Sequence, residues 1–302
     1  MTSHDHHHHD HASGHHGHAH VGAHEGAHGG ARPDDDACAE ILELDAVVFA
    51  DLLADVVARV AALAPSPTRT VVDLGAGTGT GTLALAKALP DAQVVAVDSS
   101  SVMLGRLRAA ADGAGVGERV RTVEADLDDG WPATGEADLV WASASMHHVA
   151  DPDRVLRDAY AALAPGGLVA VVEMTGTTPV LPRSVGREGL AGRLAEAMTH
   201  AGWNQYPDWT PHLQRAGFRL VERVELESSP ATGPDATRWV RTALERQRDH
   251  LAPHLPPEDV AAIAAFLDRP ERTASGTDPE PPGDEPTARS GRILWAARRP
   301  SR

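Results

Sequence analysis

The residues best placed for chemistry lie at the end of one apolar run, Val71-Val72-Asp73-Leu74-Gly75-Ala76-Gly77-Thr78-Gly79-Thr80-Gly81. Glycines at this spacing let the backbone turn sharply and let a ligand approach the chain closely. The dinucleotide fingerprint G-x-G-x-x-G needs a third glycine three residues after the second. Counting from Gly75 that place holds Thr80, and from Gly77 it holds Thr82, so neither register suits a pyrophosphate. Carboxylates recur at the ends of three such runs: Asp73, then Asp98 about 20 residues after Gly77, then Asp126. A carboxylate at the place of Asp98 can accept both hydroxyl hydrogens of an adenosine ribose. Three acids round one crevice suit a ligand bearing an ammonium, a diol and an adenine amine, and they repel a pyrophosphate. For Asp126 alone, capping a turn is an open alternative.

Histidines form two further groups. His147 and His148 follow a fourth apolar run and are general-base candidates, since imidazole titrates near neutral pH. The competing reading is a hydrogen-bonded histidine at a turn. Residues 1–36 hold 12 of the 18 histidines, beginning with His4, His6, His7, His8, His9 and His11. Neutral imidazoles in that density can bind a divalent metal in many interchangeable geometries. The same tract, low in apolar residues and without periodicity, also reads as a solvated, disordered tail. Trp203, Tyr206 and Trp209, with His200 and His212 nearby, are the densest aromatic cluster. They suit either the wall of an apolar pocket or the core of a peripheral helix.

These groups need elements to position them. Ile41, Leu44, Val48, Leu52, Val56, Val60 and Leu63 recur at helical spacing, which predicts one N-terminal helix over 37–67, ended by Pro65 and Pro67. Strands are then predicted at 70–74, 93–97, 119–124, 137–142 and 168–173, with helices at 82–89, 102–111 and 153–163 between them. Strands alternating with helices imply right-handed βαβ units and a parallel sheet. Beyond Thr175, helices are expected at 186–200, 208–216, 235–251 and 257–268, and strands at 218–226 and 292–297. If those two strands are neighbours, the chain between them is one long insertion, the kind that commonly forms lids and substrate walls.

Composition removes several function classes. The formal charge of the 302-residue chain is −16, which disfavours a nucleic-acid acceptor. One cysteine, Cys38, allows neither an intrachain disulfide nor a four-thiolate zinc site. No apolar run reaches the roughly 20 residues of a membrane span, and no signal peptide is read, so the cytoplasm is the expected compartment. Lys87 is the sole lysine, and its setting fits neither a P-loop nor a Tyr-Lys dehydrogenase pair. No Asn/Asp-Pro-Pro-Tyr follows the fourth run, which argues against adenine or glutamine amino groups as acceptors.

Taken in order, Asp73-Leu74-Gly75-Ala76-Gly77-Thr78-Gly79, Asp98-Ser99-Ser100 and Ala125-Asp126-Leu127 resemble the cofactor motifs of class I S-adenosylmethionine-dependent methyltransferases. Trp141 to Pro152 (W-A-S-A-S-M-H-H-V-A-D-P) and Leu163-Ala164-Pro165-Gly166-Gly167 are similar to later motifs of the group that includes the quinone-biosynthesis methyltransferases. The likeness covers residues 40–175, and the remainder in outline. It implies an α/β, Rossmann-like methyltransferase fold: a seven-stranded, mostly parallel sheet with one antiparallel strand and helices on both faces. Residues 68–175 would bind S-adenosylmethionine, and 176–302 would supply acceptor-side helices, a lid and the last two strands. Gly75 and Gly77 would face the methionine part, with Asp73 near its amino group. Asp98 would hold the ribose, with Ser99 beside it. Met103 would pack on adenine, whose amine would meet Asp126 beside Leu127, and Ser143 would lie by the sulfonium. The acceptor would be a small molecule, attacked in line after exclusion of water. Two other classes stay in view: a metal-buffering protein acting through its tail, and a nicotinamide-dependent oxidoreductase, which Thr80 and Thr82 disfavour.

Overall fold

The computed structural model describes residues 35–175, 178–202, 206–269 and 285–301. The histidine tract, with His4, His6, His7, His8, His9 and His11 and the metal reading attached to them, lies outside the described residues, as does Trp203. The helix predicted over 37–67 is two helices, α1 (Asp35–Val48) and α2 (Ala50–Leu63). Phe49 leaves helical geometry at φ −116° and ψ 31°. Its ring is buried edge-on against Trp239, with centroids 5.3 Å apart. The apolar stripe runs through the break, so periodicity alone does not show it.

Next come β1 (Thr70–Leu74), α3 (Thr80–Ala88), β2 (Gln93–Asp98), α4 (Ser101–Gly113), β3 (Val120–Glu124), β4 (Ala137–Ser143), α5 (Pro152–Ala162) and β5 (Leu163–Met174). The caps follow local chemistry. The Ser100 side chain accepts from the Met103 N–H to start α4, and Asp151, followed by Pro152, accepts from the Arg154 N–H to start α5. The chain continues through β6 (Thr178–Val180), α6 (Leu190–His200), α7 (Trp209–Arg215), β7 (Arg219–Glu227), α8 (Pro234–Leu251), α9 (Pro257–Leu267), β8 (Thr287–Arg289) and β9 (Gly291–Arg298). Helix α6 starts four residues later than predicted because Gly186 and Gly189 both adopt left-handed backbone, at φ 71° and 81°.

Seven strands form one sheet in the order β3-β2-β1-β4-β5-β9-β7. Only β9 runs against its neighbours. On one face Val56, Val60 and Leu85 pack on Val71, Leu139 and Leu168. On the other, Val155, Leu156 and Leu213 pack on Val72, Val140 and Val169. Helices on both faces explain why the central strands read as unbroken apolar runs. Strand order reverses between β1 and β4, and in such sheets the ligand crevice opens at the carboxyl ends on either side of that point.

Strands β7 and β9 pair, so α8, α9 and β8 form an insertion between them. It springs from the carboxyl edge of the sheet and has its own core, in which Leu44 and Phe49 meet Leu194, Trp239, Leu244 and Phe266. A two-stranded ribbon of β6 and β8 ties its root to the chain leaving β5. That ribbon escaped sequence reading because each strand has three residues and one contains Pro179. Within the insertion, Asp259 is fully buried and takes Arg193 on both oxygens, at 2.5 and 3.0 Å, with the Arg187 Nε at 3.3 Å. Among the described residues no helix is long and apolar enough to cross a membrane.

Candidate active site

The turn from β1 into α3 is held from two sides. The N–H groups of Gly75 and Ala76 both donate to the Val97 carbonyl at 2.9 Å, and the Ser145 hydroxyl donates to the Leu74 carbonyl at 2.7 Å. Gly75 sits at φ 68°, and a Cβ there would lie 2.4 Å from Cβ of Ser145. Only glycine lets the ends of β1 and β4 approach so closely. Gly77, at φ 54°, is different: a Cβ would meet only the Leu42 side chain, at 3.5 Å, so one face of the loop is open beneath α1. Gly79, the N-cap of α3, packs against Leu107, and a Cβ on Gly81 would come 2.8 Å from Nε1 of Trp141.

Asp98 braces this loop. One carboxylate oxygen accepts from the Gly77 N–H at 2.8 Å and the other from the Ser100 N–H at 2.9 Å. Ser99 beside it is exposed, and Met103 one turn on is buried. Asp126 is exposed and accepts from the Asp128 N–H at 2.9 Å, so it caps a turn at the end of β3. Leu127 packs on the sheet core. Ser143, the last residue of β4, is half-buried and is followed by Ala144 at φ 51°, a strained backbone for a residue with a Cβ.

Asp73 lies under the loop rather than on its open face. It is 2% exposed and accepts from the Thr82 hydroxyl at 2.5 Å. Burial pushes its carboxyl up to about 7, the negative charge of Asp98 adds to this, and the Thr82 hydrogen bonds oppose it. Asp73, expected near the cofactor's amino group directly or through water, is thus a buried residue beneath the glycine turn.

His147 and His148 form a short turn past the end of β4, their ring centroids 4.0 Å apart. Nδ1 of His147 is 3.0 Å from a carboxylate oxygen of Glu173 on β5, whose side chain is wholly buried. The other Glu173 oxygen is buried with no hydrogen-bond partner among the described residues. Tyr206 packs on His147 at 4.6 Å between centroids. Its phenol is pushed up to about 12, first by burial and then by the negative charge of Glu173, against the pull of Arg292. The aromatic cluster therefore divides. Tyr206 joins the crevice, while Trp209 belongs to the core beneath it and His212 binds Asp153 at 2.7 Å. Sequence reasoning took Glu173 only as a strand end; a lone acid in an apolar run, Val169 to Val172, was the signal that marked it.

Known proteins agree with this architecture. A methyltransferase-domain family model matches residues 71–167, from β1 through the start of β5. A trans-aconitate 2-methyltransferase of Azoarcus sp. (strain BH72) is 37% identical over 207 residues, 66% of this chain and 78% of that protein. Another, from Methylobacterium radiotolerans, is 29% identical over 241 residues, 75% of this chain and 84% of the relative. In fold, the chain is similar to a methyltransferase solved in complex with the Trm112 activator of Haloferax volcanii, with a TM-score of 0.52 at 17% identity, covering 90% of this chain and all of that one. With a relative 37% identical and covered over 78% of its length, the chain belongs to the class I S-adenosylmethionine-dependent methyltransferases.

Proposed function

We propose that the enzyme methylates a small molecule by direct displacement, in the crevice between the glycine turn and the end of β4. The observation that carries this reading is the close approach of Gly75 to Ser145, which brings the cofactor loop against the segment bearing Ser143 and His147. S-adenosylmethionine supplies an electrophilic methyl carbon on a sulfonium. The residues present fit it. The open face of Gly77, and Gly75 before it, would take the methionine part. Asp98, braced at the end of β2 by the Gly77 and Ser100 N–H groups, would hold the ribose hydroxyls. Met103 would flank adenine, with Ser99, Asp126 and Leu127 at that end of the crevice, and Ser143 would border the reacting carbon. Asp73 would act on the ammonium group through its charge beneath the loop. The insertion and α1 would roof the crevice and exclude water, which favours displacement by a desolvated nucleophile.

The two relatives are named for trans-aconitate, so small carboxylic acids form one acceptor class to try. Calorimetric titration with S-adenosylmethionine, S-adenosylhomocysteine and NAD tests the reading. Binding of the first two, weakened at least tenfold by Asp98→Ala, is the expected result. Binding of NAD alone would overturn it.

A further inference from the structure

Resting on that reading, we propose that Glu173 positions His147 to take a proton from the acceptor, and that the acceptor is therefore an O–H compound, a phenol, enol or alcohol, rather than a ready-made carboxylate. A buried carboxylate with one oxygen unpartnered among the described residues is costly, and cores seldom keep one without a use. Here its other oxygen meets Nδ1 of His147 at 3.0 Å. A carboxylate at that distance can accept a hydrogen carried on Nδ1, the tautomer that leaves the lone pair on Nε2. Nε2 has no hydrogen-bond partner among the described residues, and the His147 side chain is 20% exposed.

The surrounding charges favour the same reading. His148 lies beside the ring, Tyr206 faces it, and the positive charge of Arg292 on β9 acts on the Tyr206 phenol. Arg292 is tied to Asp45 of α1 at 2.6 Å. A carboxylate acceptor would thus meet the Glu173 carboxylate, with the guanidinium of Arg292 already paired to Asp45. It would also need no base. A hydroxyl needs one, because a neutral oxygen is a poor nucleophile towards a sulfonium. In the step, the acceptor's O–H proton passes to Nε2 while an oxygen lone pair forms the bond to the methyl carbon. The C–S electron pair returns to sulfur, which leaves as a neutral thioether. The imidazolium left on His147 is held by Glu173 until water removes the proton.

The test uses the full chain. Nitrogen NMR of histidine-labelled, donor-free enzyme at pH 8, with His147 assigned by its loss in His147→Gln, should show Nδ1 protonated and Nε2 bare. Glu173→Gln should abolish that single tautomer. A protonated Nε2, or a tautomer indifferent to Glu173→Gln, overturns the proposal. Turnover with labelled methyl donor is then compared for catechol and trans-aconitate. Catechol methylation should fall about 10²-fold in kcat in both variants. It should recover at alkaline pH as the phenol ionises by itself, with donor affinity unchanged. Methylation of trans-aconitate at equal rates by wild type and both variants, with catechol untouched, also overturns it. If the wild type fails to bind S-adenosylmethionine, the methyltransferase reading fails separately, and the tautomer result stands on its own.

Discussion

Asp73→Asn should make this protein more stable in neutral and alkaline solution, although it removes a hydrogen-bonded carboxylate. The Asp73 carboxyl is 2% exposed and burial raises its pKa from 3.8 to about 7. Each unit is worth about 1.4 kcal/mol, so the folded state's preference for the protonated acid amounts to roughly 4 kcal/mol. The sign follows from proton counting. Between about pH 4 and 7 the folded chain holds this proton and the unfolded chain has lost it, so stability declines as pH rises through that window. Asparagine keeps an oxygen to accept from the Thr82 hydroxyl and carries no charge to desolvate. The gain from Asp73→Asn should therefore be close to nothing at pH 4 and approach about 4 kcal/mol near pH 8, less any loss from imperfect amide geometry. Urea unfolding of both proteins at intervals from pH 4 to 8.5 measures it. A difference that stays constant across that range would refute the reasoning, since only a titrating Asp73 makes it grow. Loss of donor affinity in the same variant would accompany the gain if the charge under the loop serves the ammonium group.

The two glycines of the loop give a paired prediction. Gly75→Ala combines left-handed backbone with a 2.4 Å approach to Ser145 and should cost about 3 kcal/mol or more, abolishing donor binding. Gly77→Ala meets only a leucine methyl at 3.5 Å and should cost about 1 kcal/mol, as thermal melts of the two variants will show. Asp259→Ala leaves Arg193 and Arg187 without their shared carboxylate inside the insertion, and should destabilise by about 2 kcal/mol, below the range for fully buried pairs because Arg187 is half exposed. Arg193 and then Arg187 hold the Asp259 carboxyl below its usual range, so its contribution is present above about pH 4 and lost on acidification. The deficit of the variant should therefore shrink as unfolding is followed down to pH 3.

Much of the fold was legible because it is written in period and punctuation. Val71, Val72, Val94 to Val97 and Val169 to Val172 lie in strands covered on both faces, and such strands leave short, β-branched apolar runs bounded by turn residues. The glycine turn and Asp98 were legible for a related reason, since backbone approach and a strand-end acid need those residue types at fixed offsets. What escaped depends on partners far away in sequence. Phe49, at the break in the N-terminal helix, packs on Trp239 far along the chain, and the β6–β8 ribbon pairs residues more than a hundred apart. Asp126 reads as an adenine partner with a turn cap as its competitor, and in the structure its carboxylate accepts from the Asp128 N–H.

Glu173 illustrates the remaining gap, and it also joins the two halves of the site. Its place in β5 pairs it with Ile293 of β9, while the register Ser143 to Val172 sets it beside the end of β4. From there the chain takes one strained left-handed step at Ala144, anchors Ser145 on the Leu74 carbonyl, and two residues later delivers His147 to the Glu173 carboxylate. The strain at Ala144, about 1–3 kcal/mol for a residue with a Cβ, is offset by that anchor and by the Ala144 N–H donating to the Val172 carbonyl at 2.8 Å. One short segment thus fixes the glycine turn on one side and the histidine on the other. A displacement of Ser145 would move both together, which is what in-line transfer between a donor on the loop and an acceptor beside His147 demands, because misplacement by about 1 Å costs a large factor in rate.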